Sequence, residues 1–266
     1  MTDRREVAKA AAERGANVAM DAFETDVATR EKSGKVDVVT EADEAAQDAV
    51  IEAIRESYPD EPIVGEEGDQ RKTVPESGPA WIIDPIDGTN NFVHGVGRWG
   101  TAVACVEDGE PVTSVVTVPA LDEQYVADAD GVWLNGEPIG VSDRSDPDAF
   151  VVAVTLRYTN GLREAYAALV GSIIESFDQF QRVGSTQFTL ALLARGSLDV
   201  VVGLGEANPW DTVAGVQLIR QAGGTVTDVS GEPWRHDSEG LVATNGAAHD
   251  AVLGRLAVDG TDAESD

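Results

Sequence analysis

The chain reads as an α+β protein whose helices and strands stack in layers. Three observations predict this. Residues 4–29 are Ala-rich, with apolar residues at helical spacing. Residues 100–141 hold short β-rich runs separated by Asp-Gly, Val-Pro and Asn-Gly. Beyond residue 150, strand-like and helix-like runs alternate. A meander followed by such alternation fits layered packing rather than a doubly wound parallel sheet.

In chain order, the first helix is predicted over 4–29, and Glu31 to Lys35 is a charged loop containing a glycine. Asp37-Val38-Val39-Thr40 is a short extended piece. Thr40 and Asp43 resemble a capping box, with Asp in place of the usual Glu or Gln. The helix they open runs to about Ser57 and ends before Pro59. Ile63-Val64 leads into Gly65-Glu66-Glu67-Gly68. Trp81-Ile82-Ile83 is a buried strand that stops at Asp84, because Pro85 has no N–H for a ladder. Strands of an antiparallel meander follow at 101–106, 112–118, 124–127 and 132–134. The second half offers strands at 150–155, 180–183, 198–202 and 225–228, with helices at 162–176, 185–194, 210–222 and 247–258. A soft boundary at 142–149 divides an N-terminal half, 1–145, from a C-terminal half, 146–266, within one compact unit. Residues 260–266 are polar and expected to fray.

Composition narrows the function. Among 266 residues, 48 are acidic and 19 basic, for a net charge of −29. With no basic stripe to neutralise phosphates, nucleic acid is excluded as a partner. The acids are scattered, which suits a solvated anionic surface and points to a halophilic, cytoplasmic protein. The N-terminus lacks the apolar stretch of a signal peptide, and no run of about 18 apolar residues would span a membrane. Cys105 is the only cysteine, so an internal disulfide is excluded, and it reads as a small core residue.

The chemistry concentrates in Asp84-Pro85-Ile86-Asp87-Gly88-Thr89. Two carboxylates aimed at one point repel each other, and a divalent cation relieves the conflict. Gly88 and Thr89 offer backbone N–H groups and a hydroxyl suited to a phosphate oxyanion. Glu66-Glu67, flanked by glycines, and Asp211, just after Pro209 at a helix start, are the further acids available. Asp37, Thr40 and Asp43 cluster round another helix start. Gly184-Ser185-Thr186 opens a helix, where Ser185 is either an N-cap or a pocket residue.

These motifs, in this order, resemble the inositol monophosphatase superfamily of Mg²⁺-dependent phosphatases. The run from Trp81 to Gly95 is similar to its DPxDGT and NFxxG signature, and Gly65-Glu66-Glu67 to its GEE element. Asp37-Val38-Val39-Thr40 with Asp43 is similar to DxVTxxD. Trp210-Asp211 with Ala214-Gly215 and Gly223-Gly224 is similar to its C-terminal signature. The resemblance implies the αβαβα sandwich of sugar phosphatases, a homodimer, and two or three Mg²⁺ ions per site. It implies that Glu66, Asp84 and the Ile86 carbonyl hold one metal, and that Asp84, Asp87 and Asp211 hold a second. A looser third falls to Glu66, with Glu67 nearby. Thr89, oriented by Asp43, activates water. Gly88 and Thr89 bind phosphate, with Ser185 and Asp211 beside the substrate. Lys32 and Asp37 match positions near a mobile loop and the third metal.

The implied reaction is hydrolysis of a small phosphate monoester, inositol 1-phosphate or fructose 1,6-bisphosphate. Nucleotide 3′-phosphates and NADP are alternatives, and a non-catalytic metal-binding protein is a third. The glutamate that usually binds sugar hydroxyls is replaced by Leu204, with Glu206 out of register. Arg157, Arg163 and Arg182 are candidate partners for a second phosphate. His94 is read as structural, and Trp99, Trp133 and Trp234 as core or turn residues. Asp87→Asn is expected to stop turnover and leave the fold intact.

Overall fold

The computed structural model describes residues 3–23, 41–155 and 161–256 in full, and the backbone of 29–32 and 37–40. The side chains of Lys32, Asp37 and Thr40, all of Arg157, and the tail from 257 lie outside the fully described residues.

The N-terminal helices are α1 (Arg4–Phe23) and α2 (Glu41–Arg55), with the strands β1 (Thr29–Lys32) and β2 (Asp37–Thr40) between them. α1 ends at Phe23, not Thr29, and the predicted charged loop begins as a strand: β1 pairs antiparallel with β2. α1 buries Val7, Ala8, Ala11, Ala12, Gly15, Ala16 and Ala19, a stripe of small residues. The smallness lets α2 approach closely: a Cβ on Gly15 would sit 2.4 Å from Val50 Cγ2.

Next come β3 (Ile63–Gly65), β4 (Pro79–Asp87), the short α3 (Thr89–Val93), β5 (Gly100–Glu107), β6 (Glu110–Val118), β7 (Glu123–Asp128), β8 (Gly131–Leu134) and β9 (Glu137–Pro138). They form a seven-stranded sheet in sequential order, parallel only between β3 and β4. The second half contributes β10 (Val151–Thr155), α4 (Arg163–Ser176), β11 (Gln179–Gln181), α5 (Thr186–Ala194), β12 (Val200–Glu206), α6 (Pro209–Gln221), β13 (Thr225–Thr227), β14 (Glu239–Thr244) and α7 (His249–Leu253). Its strands form a mixed sheet in the order β11-β10-β12-β14-β13. Sequence analysis gave no element at β14, although Leu241-Val242-Ala243 between Gly240 and Gly246 is a bounded apolar run of the kind a buried strand needs.

Strand alternation sorts the side chains into layers. Trp81, Ile83, Val103, Cys105 and Val115 pack against α1 and α2. Their neighbours Ala80, Ile82, Ala102, Ala104 and Val116 face α5 and α6. On the second sheet, Ala153, Val201 and Ala243 join that same central core. Val152, Val154, Val200 and Val202 turn the other way, onto Leu169 and Ile173 of α4 and Val252 of α7. The stack is therefore helices, sheet, helices, sheet, helices: the αβαβα sandwich the resemblance implied. The linker between the sheets is tied by Asp199, fully buried, whose carboxylate accepts from Arg144 Nε at 3.0 Å and Val151 N at 2.8 Å. Cys105 is buried as expected, and burial pushes its thiol up to about 12. Asp128 pairs with Arg5 at 3.0 Å.

Candidate active site

β4 supplies the centre of the site. Asp84 lies opposite Ala102, and the next pair is Asp87 opposite Gly100. Three steps along β4 match two along β5, so one extra residue is inserted as a bulge. In a regular strand, residues three apart face opposite sides of the sheet. The bulge restores parity, and both carboxylates come to the face that Ala80 and Ile82 turn towards α5 and α6. Pro85 lies inside the bulge, where its missing N–H breaks no ladder, and its carbonyl accepts from Thr101 Oγ1 at 2.8 Å. The strand thus runs on to Asp87 instead of ending at Asp84.

The chain then turns sharply at Gly88, whose φ of 90° favours glycine. A Cβ there would also lie 2.9 Å from Ser185 Cβ and 3.2 Å from the carbonyl oxygens of Arg98 and Gly184. Thr89 opens α3, and its hydroxyl donates to Ile86 O at 3.1 Å, placing two predicted groups side by side. Asn91 Nδ2 donates to Val183 O at 3.0 Å and docks this turn on the loop before α5. His94 Nδ1 lies 2.7 Å from Asn90 O, a local bond that agrees with its structural reading.

Asp87 meets the N-terminus of α5. Thr186 N donates to its Oδ1 at 3.0 Å, Gln187 N to its Oδ2 at 2.8 Å, and the Ser185 hydroxyl to Oδ2. Ser185 also caps the helix, accepting from Phe188 N at 3.2 Å. Ser185 is thus the N-cap, and Thr186 rather than Ser185 borders the neighbouring cleft. Burial raises the Asp87 pKa to about 6; the three donors oppose that rise, and Asp211 adds to it. Replacing Asp87 by Asn would disturb this helix start, so the expectation of an intact fold is revised.

Asp211 lies in the first turn of α6, after Pro209, and its Oδ2 accepts from Asn208 N at 3.0 Å. α6 is fixed to α5 by Gln187, which sequence analysis missed. Its Nε2 donates to Trp210 O at 2.5 Å, and its Oε1 accepts from Gly215 N at 2.7 Å. A glutamine opening the run 187–194, which is apolar but for Thr189, was the available signal. Gly215 permits the close crossing, since a Cβ there would lie 2.5 Å from Leu190 Cβ.

Asp84 is the focus of the charges. It is buried, and burial together with Glu66, Asp87, Asp211 and Asp43 raises its pKa well above the carboxylate range. Five acids from β4, α2, α6 and the loop after β3 thus act on one point. Asp43 and Glu67 are buried, whereas Glu66 and Asp211 are half-buried. Asp84 Oδ1 is buried with no hydrogen-bond partner. An orphaned carboxylate oxygen among like charges costs several kcal/mol unless a cation meets it, of order ~3 kcal/mol or more. An all-oxygen donor set of this kind fits a hard divalent ion such as Mg²⁺. Among the described residues, no three acidic, His or Cys side chains already form a cage for an ion.

Beside the acids lies a cleft of about 390 Å³, including its open mouth. Thr186, Asp211, Leu204, Glu206, Tyr166 and Trp234 line it. A second bulge shapes its wall: Gly203 pairs with Leu241 and Glu206 with Glu239, again three steps against two. Leu204 and Glu206 both reach the cleft, and Trp234, read as a core or turn residue, borders it while 5% exposed. Arg163 and Arg182 are not among its described lining residues.

The profile of the Inositol monophosphatase family matches residues 1–259. A Thermotoga maritima protein named fructose-1,6-bisphosphatase/inositol-1-monophosphatase is 38% identical over 228 residues, covering 84% of this chain and 83% of that one. The Escherichia coli Nus factor SuhB is 31% identical over 253 residues, 94% of each chain. The solved Thermotoga maritima IMPase superposes with a TM-score of 0.86 at 32% identity, covering 96% of both chains. The inositol monophosphatase from Anabaena gives 0.83 at 29% identity, covering 95% of this chain and 94% of that one. Matched along nearly its whole length in sequence and in fold, the chain belongs to the inositol monophosphatase family.

Proposed function

We propose that this protein is a Mg²⁺-dependent phosphatase for a small phosphorylated polyol or sugar, with inositol 1-phosphate and fructose 1,6-bisphosphate as its candidate substrates. One observation carries the reading: Asp84 Oδ1 is buried without a partner amid four other carboxylates. In this reading Glu66, Asp84, Asp87, Asp211 and the Ile86 carbonyl hold two ions, with Glu66 serving a looser third. The ions supply positive charge to the phosphoryl oxygens and acidify a water. Glu66 and Asp211, half-buried beside Asp84, would complete the ligand set.

The rest falls to the chain itself. The backbone N–H groups of Gly88 and Thr89 bind phosphate oxygens. The Thr89 hydroxyl would orient the attacking water and accept its proton while passing its own to the Asp43 carboxylate, which ends as the acid. Thr186 and Asp211 border the cleft that receives the polyol. The described charged residues lining that cleft, Glu206 and Asp211, accept hydroxyl donors and repel a second phosphate, which favours a polyol monophosphate over a bisphosphate. Glu206 then supplies the acceptor that Leu204 cannot. Homodimer assembly belongs to the same proposal.

The test is phosphate release with and without Mg²⁺ from inositol 1-phosphate, fructose 1,6-bisphosphate and adenosine 3′,5′-bisphosphate in parallel. High KCl is used, because a net charge of −29 needs screening. Metal-dependent release, fastest from the inositol ester, is expected. No release from a folded, metal-loaded protein would sink the phosphatase reading. A fastest rate on the nucleotide would move the substrate to the alternative class.

A further inference from the structure

Glu66 stands at the start of a loop that is tied down from three sides. The loop's ends are closed by Gly65 N donating to Arg71 O at 3.1 Å, beside a bridge between Val64 and Arg71. On one side Gln47 of α2 grips Glu67: its Nε2 donates to Glu67 O and its Oε1 accepts from Glu67 N, both at 2.9 Å. Gln47 is 3% exposed and lies one turn beyond Asp43, on the same face of α2. On the other side Lys72 Nζ donates to Gly65 O and Glu66 O, each at 2.8 Å. The same ammonium lies 5.5 Å from the centre of the Trp210 ring.

Trp210 immediately precedes Asp211. Lys72 therefore links the backbone of Glu66 to the first turn of α6, two segments distant in sequence. A lysine on a flexible stem normally leaves its donors to water. Here two of them are spent on adjacent carbonyls, and the charge faces an indole. The arrangement fixes the peptide from which Glu66 projects and sets its separation from Asp211.

We propose that Lys72 is a positioning residue for the divalent-cation site: it holds Glu66 and Asp211 at a common spacing, with Gln47 bracing the loop from α2. The inference rests on the metal-dependent reading above. Oxygen ligands must meet Mg²⁺ at about 2.0–2.1 Å in near-octahedral array, so a small drift of the loop removes a ligand. Lys72 acts on the affinity of the ion. Once the site is filled, the ion itself holds the two acids together, and the rate no longer depends on the lysine.

The sign of one effect separates positioning from charge. A cation beside a cation site repels the ion, so by charge alone Lys72→Met would tighten Mg²⁺ binding. Positioning requires the opposite. The experiment is calorimetric titration of Mg²⁺ into the metal-free wild type, Lys72→Met and Lys72→Arg in high KCl, with kcat read at saturating Mg²⁺. Lys72→Met is expected to weaken binding by about 10- to 100-fold, the usual scale for partners that orient metal ligands, with kcat unchanged. Lys72→Arg, which keeps donors and charge, recovers part of the loss. If Lys72→Met fails to fold, Lys72→Gln, whose uncharged amide keeps two N–H donors on a shorter stem, carries the same expectation at smaller size. Unchanged or tighter binding in the folded variant overturns the assignment of Lys72. A wild type that takes up no Mg²⁺ is a different result, and overturns the metal-dependent reading along with this one.

Discussion

The two ends of β4 treat acids in opposite ways. At its start, Glu61 accepts from both terminal nitrogens of Arg4, at 2.6 and 2.7 Å, and from Trp81 Nε1 at 2.7 Å. The guanidinium also lies 4.6 Å from the centre of the Tyr58 ring. Burial works against the Glu61 charge, yet Arg4 and Trp81 hold its carboxyl below the usual range. At the other end, burial and four neighbouring acids drive Asp84 far above that range. The first cluster is complete within the chain and does structural work. The second has an excess of negative charge that an ion from outside would balance, and that imbalance marks it as the functional end.

Replacing the centre of each cluster tests this contrast. Asp84→Asn should give the largest effect. Turnover at saturating Mg²⁺ should fall by about 10³-fold or more, at or beyond the scale of losing one electrostatic stabiliser. The metal-free protein should melt no lower than wild type, because Asn replaces a carboxyl whose charged form burial and its acidic neighbours already disfavour. A variant that melts clearly lower without metal would mean that Asp84 is a structural acid like Glu61.

Asp87→Asn sharpens the comparison, since Asp87 belongs to both worlds. It should lose turnover to a similar degree and, unlike Asp84→Asn, lose about 1–3 kcal/mol of metal-free stability. The reason is that an amide cannot accept from Ser185, Thr186 and Gln187 as a carboxylate does. With its pKa raised to about 6, the folded state holds a proton that the unfolded chain releases. This contribution is present at low pH and is lost as pH rises through about 6. In chelator, the stability gap between wild type and Asp87→Asn should therefore narrow from pH 5 to pH 7, as read by urea denaturation. A gap that widens would contradict the sign.

Thr89→Ala divides the functional end into holding and reacting parts. Its kcat should drop by about 10²- to 10⁴-fold, the scale of lost proton transfer, with Mg²⁺ half-saturation little changed. Parallel loss of both would move Thr89 among the ion-holding groups. The smallest effect on activity belongs to the other end of β4. Arg4→Met should cost about 2 kcal/mol of stability, less than a fully buried pair because Arg4 is partly exposed, and leave kcat alone. Lost activity in a folded Arg4→Met protein would break the division between the two ends.

Much of the site was legible from residue type and local order. Asp84, Asp87, Gly88 and Thr89 are consecutive or nearly so, and Asp211 is announced by Pro209 at a helix start. What local order concealed was orientation. Asp84 and Asp87 are three apart, which in a regular strand would separate them, and only the bulge against β5 makes them cofacial. The reading of Pro85 as the end of the strand failed for the same reason, because a bulge tolerates a proline that a ladder rejects. Glu66-Glu67 was readable as a pair, but burial of Glu67 with Glu66 turned towards Asp84 depends on the grip of Gln47. β14 was missed although its signal was present.

By itself, the sequence pointed to the family and to the acids of its candidate site. Residue types and short spacings specify the acids, the sharp turn at Gly88 and the helix starts beside it, because these depend on nearest-neighbour backbone geometry. It also determined the layered α+β architecture, since hydrophobic period and punctuation are local properties. The tertiary structure decided which acids face one another, which are buried, and which are already satisfied. Asp87 finds its three donors on α5, far along the chain, and Asp84 finds none for Oδ1. Those outcomes depend on desolvation and on distances between segments remote in sequence. Both arise only when α5 and α6 pack between the two sheets.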